Sequence, residues 1–272
     1  MSKTRFLLAG ALAAGSLLIA VPAHADNHEA TVSVLHGVPG ATVDVYANGA
    51  ALLTDFKPGT LTDPVKLAAG EYDLKVVAAG DGADGTAVIE ANDVTVPGGA
   101  NITVVAHLSA DGKPTLTPFV NDVSTMDAGM GRLTVRHVAA APEVDVRANE
   151  KVAFPGLVNP KEVKADLAAG TISADVVLAG TDTVAIGPAD VTLAEGTNTI
   201  VYAWGSAADD NLALAVQTIS GLHSNPNGVP AGSGGQAAAA ENATQLGLSL
   251  AAALLAGVAV VTVSRRRVTE RS

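Results

Sequence analysis

The chain has no cysteine. That excludes disulfide staples, thiolate nucleophiles and any metal held by sulfur, so its domains must be stabilised by core burial. Aromatic residues make up only 3% of it, so Val, Leu, Ile and Ala must fill the core, and each domain is expected to be modestly stable. Basic residues are also scarce. The 16 Lys and Arg against 27 Asp and Glu give a net charge of −11. Losing Lys3 and Arg5 with the first 25 residues takes the charge to −13, and setting aside the four Arg and one Glu of the last nine residues leaves −16. An acidic surface keeps a protein soluble and argues against nucleic acid or anionic lipid as a partner. No His-Glu-x-x-His, no Gly-x-Ser-x-Gly elbow and no glycine-rich phosphate loop before a helix occurs.

What the chain does have is one pattern written twice. His36-Gly37-Val38 leads to Val43-Asp44-Val45-Tyr46-Ala47-Asn48, and His137-Val138-Ala139 leads to Val144-Asp145-Val146-Arg147-Ala148-Asn149, offset by 101. Leu67-Ala68-Ala69-Gly70 matches Leu167-Ala168-Ala169-Gly170 at an offset of 100, and Asn101 to His107 matches Asn198 to Trp204 at 97. The shrinking offset places small deletions between matched blocks, where surface loops absorb them. A period near a hundred residues is a whole domain, not a solenoid unit.

Within each copy the pattern is strand after strand. Thr31 to His36, Thr42 to Tyr46, Tyr72 to Val76 and Leu133 to Arg136 alternate with period two, which predicts strands with one buried face. Turn signals recur between them, among them Asn48-Gly49, Asp81-Gly82 and Pro97-Gly98-Gly99. Short strands and regular turns predict an all-β sandwich of about seven to nine strands per copy. The domains are expected at 30–120 and 132–220, with 121–131 as a linker.

The ends carry different signals. Residues 1–25 read as a secretory signal helix: Lys3 and Arg5, an apolar run from Phe6 to Val21, then Ala23-His24-Ala25 for cleavage before Asp26. Residues 246–263 are apolar or small without a charge, long enough for a transmembrane helix, and Arg265-Arg266-Arg267 follows at once. Positive residues stay on the cytoplasmic side, which leaves the domains extracellular and 264–272 as a cytoplasmic tail. The Gly-, Ser-, Pro- and Ala-rich 221–245 reads as a flexible stalk. Neither Val229-Pro230-Ala231-Gly232 nor Gln245-Leu246-Gly247 supplies the Thr-Gly bond a sortase cleaves, so a retained anchor is expected over covalent wall attachment.

The block from His36 to Gly49, with Leu67 to Val76 and Asn101 to His107, resembles a bacterial family known as domain of unknown function 4397, found in exported and surface-attached proteins. The resemblance covers both repeats. It implies an immunoglobulin- or transthyretin-like β-sandwich and no activity. The second copy departs from the pattern where Arg147 replaces Tyr46, Glu150 replaces Gly49 and Trp204 replaces His107.

Two sets of side chains invite a chemical reading. His36 beside Asp44, repeated as His137 beside Asp145, suits a metal site or an acid–base pair, with His107 as a third ligand in the first copy only; the plainer account is a turn fixed by hydrogen bonds. Asp81, Asp84, Glu90 and Asp93 offer oxygens to calcium, but their spacing lacks the alternation of an EF-hand loop, and a solvated acidic hairpin is the expectation. Asn101-Ile102-Thr103 and Asn242-Ala243-Thr244 fit the glycosylation pattern, which matters only in a host that uses it.

The expectation is therefore a non-enzymatic, membrane-anchored extracellular protein of the bacterial envelope, with a structural, adhesive or binding role. It has no catalytic, metal or cofactor residues assigned, and a surface protein or polysaccharide is the expected class of partner. The alternative is a small-ligand or cation-binding protein that uses the repeated His/Asp block.

Overall fold

The computed structural model describes residues 29–224. The signal segment, the membrane helix, the cytoplasmic tail and most of the stalk expected from sequence lie outside the described residues. Within them the chain is all-β. Repeat 1 folds as β1 (Ala30–Gly37), β2 (Val43–Ala47), β3 (Ala50–Phe56), β4 (Val65–Leu67), β5 (Gly70–Ala78), β6 (Ala87–Val96), β7 (Asn101–Leu108) and β8 (Pro114–Val120). Repeat 2 folds as β9 (Met130–Ala140), β10 (Val144–Ala148), β11 (Lys151–Leu157), β12 (Lys161–Ala168), β13 (Gly170–Leu178), β14 (Val184–Leu193), β15 (Asn198–Ser206) and β16 (Ala213–Ile219).

Each repeat builds two four-stranded sheets in the same order. In repeat 1 these are β4-β1-β7-β8 and β3-β2-β5-β6; in repeat 2 they are β12-β9-β15-β16 and β11-β10-β13-β14. The first strand of each repeat pairs in parallel with the seventh, Val34 opposite Val104 and Val135 opposite Val201. The other pairings within the sheets are antiparallel.

The β2–β3 hairpin turns on Asn48 and Gly49, both at positive φ (49° and 76°), the conformation a two-residue hairpin loop needs and that Asn and Gly adopt most easily. Repeat 2 makes the same turn with Asn149 and Glu150 at 51° and 64°. A Cβ-bearing glutamate in that region is strained.

The two sheets of each repeat face one another across an aliphatic core. In repeat 1 it holds Val43, Val45, Phe56, Val76, Ile89 and Ala106; in repeat 2, Leu133, Val135, Val144, Val146, Val176 and Val201. Burying each of the Val, Leu, Ile and Phe side chains contributes about 1.5–3 kcal/mol.

A further core lies between the repeats. Leu35, Val105 and Phe119 of repeat 1 pack against Val138, Ile200 and Tyr202 of repeat 2. The sheets β4-β1-β7-β8 and β12-β9-β15-β16 therefore meet face to face, and the four sheets stack in one pile. This corrects the one-sided burial expected for Thr31 to His36 and Leu133 to Arg136. Ser33, Thr134 and Arg136 lie on the supposedly open faces, yet Arg136 is 1% exposed and the other two are also buried. The neighbouring repeat covers them. By contrast, β5 in an outer sheet keeps the expected pattern, with Leu74 and Val76 buried and Glu71 and Asp73 exposed.

The stretch between the repeats is tied down. β9 begins at Met130, Asn121 and Met126 are buried, and Met126 exchanges backbone hydrogen bonds with Leu222 and Ser224. The first residues of the segment read as stalk are thus packed against the linker.

Candidate functional site

Three places hold the side chains that sequence or structure singles out. The first is the repeated His-Asp-Asn block. His36 sits on the core side of β1, its ring 5.6 Å from that of Phe56. Its Nε2 bonds the carbonyl of Ala41 at 2.9 Å, and its Nδ1 lies 3.4 Å from the backbone N–H of Val38, so the ring fixes the turn that follows β1. His137 does the same with Pro142 and Ala139. Burial lowers the pKa of both below the usual histidine value, which favours the neutral ring.

Asp44 points away from Val43 and Val45, out of the core. Its two oxygens accept the backbone N–H groups of Asp55 and Gly80, each at 2.9 Å. Asp145 accepts those of Gly156 and Gly180 at 2.8 and 2.9 Å. These donors hold both carboxyls below the ordinary aspartate range, the Gly80 and Gly180 amides being the larger cause. Asn48 and Asn149 likewise accept the N–H groups of Asp73 and Ser173. The histidine and aspartate of each block thus stand on different sheets and face different ways, and each is occupied by backbone groups at a turn.

His107 lies on the other face of its sheet from His36. It belongs to the seam between the repeats, where it bonds the Leu108 carbonyl and the Thr117 hydroxyl at 2.9 Å. The three-ligand arrangement of His36, Asp44 and His107 is therefore not assembled. Asp81, Asp84, Glu90 and Asp93 are all exposed, and among the described residues no three His, Asp or Glu side chains gather as metal ligands would.

The second place is that seam. Arg136 donates from Nε to Glu162 at 2.8 Å and from Nη1 to the Tyr202 hydroxyl at 2.7 Å. Its guanidinium lies over the Phe119 ring of repeat 1 at 4.4 Å and near the Tyr202 ring at 5.3 Å, a cation–π contact that crosses between the repeats. Tyr202 donates to Gln217 Oε1 at 2.6 Å, and the same oxygen accepts the Thr103 hydroxyl of repeat 1 at 2.8 Å. Asn121 continues the chain to Thr103 and Asn101. Burial raises the Tyr202 pKa above the usual phenol value.

At the rim of the seam, Asn159 donates to the carbonyls of Leu108 and Ala139, one from each repeat. Arg132 and Lys164 both pair with Asp122 of the linker. Trp204 fits because Gly59 leaves room: a Cβ there would stand 2.9 Å from the indole. The seam as a junction was not read from sequence, although Trp204, His107 and Asn101 were noted there for other reasons. Its signal was present in the apolar run Ile200 to Trp204 and in Ile102 to Ala106, apolar but for Thr103, the pattern of strands buried on both faces.

The third place is the interior of repeat 2. A cavity of about 190 Å³ lies between its sheets, walled by Val146, Phe154, Ile172, Ala174, Ile186 and others, nearly all presenting carbon. The matching space in repeat 1 is about 40 Å³. Equivalent positions follow from the register: Ala47 pairs with Leu74, and Ala148 with Ala174. Repeat 2 thus has Ala174 for Leu74, Ala153 for Leu52 and Ile172 for Tyr72, and Phe154 in place of Leu53 restores only part of the volume.

Compared with known protein families, residues 30–147 match the model described as domain of unknown function (DUF4397). The match covers all of repeat 1 and reaches β10 of repeat 2. No curated protein matches the chain.

Proposed function

Taking as premise a chain whose residues 30–147 match the DUF4397 model, we propose that it is a non-enzymatic module of a bacterial cell envelope. In this reading, two immunoglobulin- or transthyretin-like sandwiches form one stiff unit outside the cell, carried on a short stalk and held by a single C-terminal membrane helix. An N-terminal signal helix, removed after export, completes the arrangement. The second repeat is a diverged copy of the same domain. The role is structural, adhesive or binding, directed at a surface protein or polysaccharide.

The observation that carries this reading is the seam. Its polar side chains are spent on joining the repeats: Arg136, Tyr202, Gln217 and Thr103 bond one another across it. A hinge between independent domains would leave such faces wet. A fixed double sandwich suits a module that must hold its outer end at a set distance from a membrane.

Two measurements test the proposal. Protease added to intact cells should release the double sandwich and spare the Arg265-Arg266-Arg267 tail; a protected double sandwich would place it on the wrong side. Turnover of ester, glycoside or peptide substrates that disappears in His36→Ala would overturn the non-enzymatic reading.

A further inference from the structure

From the unequal filling of the two repeats, we infer that repeat 2 is a binding site for a small apolar molecule, a compact hydrocarbon of roughly the size of benzene, held in the cavity between its sheets. The cavity measures about 190 Å³. Apolar cavities of about 150 Å³ in protein cores stay dry and take up benzene or xenon. Water needs two to four polar partners to occupy such a space. The walls from Val146, Ile172, Val176 and Ile186 offer aliphatic carbon instead. Size sets the upper limit, since a long chain or a fused ring system exceeds the space.

The void is a property of this copy and not of the fold. Repeat 1 has the same strand order and fills the same place with Leu74, Leu52 and Tyr72. In repeat 2, Ala174 exchanges an isobutyl group for a methyl at a half-buried position in the wall, and Ala153 does so on the edge strand β11. Ala153 is exposed to solvent while also lining the cavity, so the guest has a route in at the edge where Leu52 stands in repeat 1. This site is separate from the His/Asp block, whose polar groups are taken by turns.

The test is a benzene titration of the full chain followed through its methyl resonances by carbon-13 NMR. The expected result is saturable shifts at Val146, Ile172, Val176 and Ile186, with Val45, Val76 and Ile89 of repeat 1 unmoved. Because both copies are in one molecule, nonspecific uptake by other apolar segments cancels out of the comparison. A174L, which installs the residue repeat 1 already carries, should weaken binding at least about tenfold. A153L, at an exposed edge position, serves the same purpose if A174L does not fold. L74A in repeat 1 should bring benzene-dependent shifts to Val45 and Val76. Shifts that never saturate, that are equal in both repeats, or that survive both filling variants overturn the inference.

Discussion

Repeat 1 and repeat 2 agree at the turns of the His-Asp-Asn block, where backbone groups would otherwise be left without a partner. His36 and His137 close the same turn, Asp44 and Asp145 take the same pair of N–H groups, and Asn48 and Asn149 cap the same hairpin. They disagree in packing at Leu74 against Ala174, in charge at Tyr46 against Arg147, and in the seam at His107 against Trp204. An unsatisfied buried polar group costs about 1–3 kcal/mol whatever surrounds it, whereas a core position tolerates change if neighbours adjust. The duplicated block is therefore a statement about turns, and what sets the copies apart is held in the cores and the seam.

The sharpest way to break the comparison is to cut the seam the copies share. Arg136→Ala leaves Glu162 and the Tyr202 hydroxyl without their cation and bares the Phe119 face; a loss of about 3–5 kcal/mol is expected. Trp204, the single tryptophan, sits at the seam and reports the transition by fluorescence in denaturant. A loss under about 1 kcal/mol would mean the repeats are nearly independent.

Next come the cores. Leu74→Ala should cost about 2–5 kcal/mol, because it creates in repeat 1 the void repeat 2 already tolerates. Ala174→Leu should stabilise repeat 2 or leave it unchanged. Equal losses from both would show the two interiors to be equally tight.

The aspartates test the part that agrees. Asp44→Ala and Asp145→Ala should each destabilise the protein, and by similar amounts, since each removes the acceptor of two backbone N–H groups. Markedly unequal losses would show that the copies use the block differently.

A smaller effect is expected from acid. His36, His107 and His137 all have pKa values lowered by burial, His107 further by the charge of His137. The folded state thus binds fewer protons than the unfolded one below the ordinary value of 6.5. Stability should be level above that pH and fall as pH drops from 6.5 toward the lowered values. The lowered carboxyls of Asp44 and Asp145 add a second loss below 3.8. His107→Gln should flatten part of the first decline in thermal melts and leave the second. A decline unchanged in that variant would remove His107 from the account.

The smallest effect is a gain. Glu150→Gly places in repeat 2 the residue repeat 1 uses at a positive φ of 76°, and should stabilise by about 1 kcal/mol.

Much of this architecture was legible beforehand, for physical reasons. The all-β class and the repeat showed because alternation and turn residues are local properties of Val43 to Tyr46 or Asn48-Gly49. The structural character of His36 and Asp44 followed from their place beside turns. The seam was not read. Arg136 and Thr134 look like solvent-facing residues in an alternating strand, and only the neighbouring repeat turns that face inward. The cavity was hidden for a related reason: a window of sequence around Ala174 shows a small apolar residue on a core face, and volume is a sum over both sheets.

The parallel pairing of β1 with β7 has a mechanical consequence. Thr31 to Gly37 are matched one for one with Asn101 to His107. A pull on β1 at Ala30, directed along the strand, loads those hydrogen bonds side by side in shear, so they must give way together instead of peeling in turn. A molecule held at one end by a membrane and gripped at the other would meet traction in that geometry, and the first strand would act as a latch.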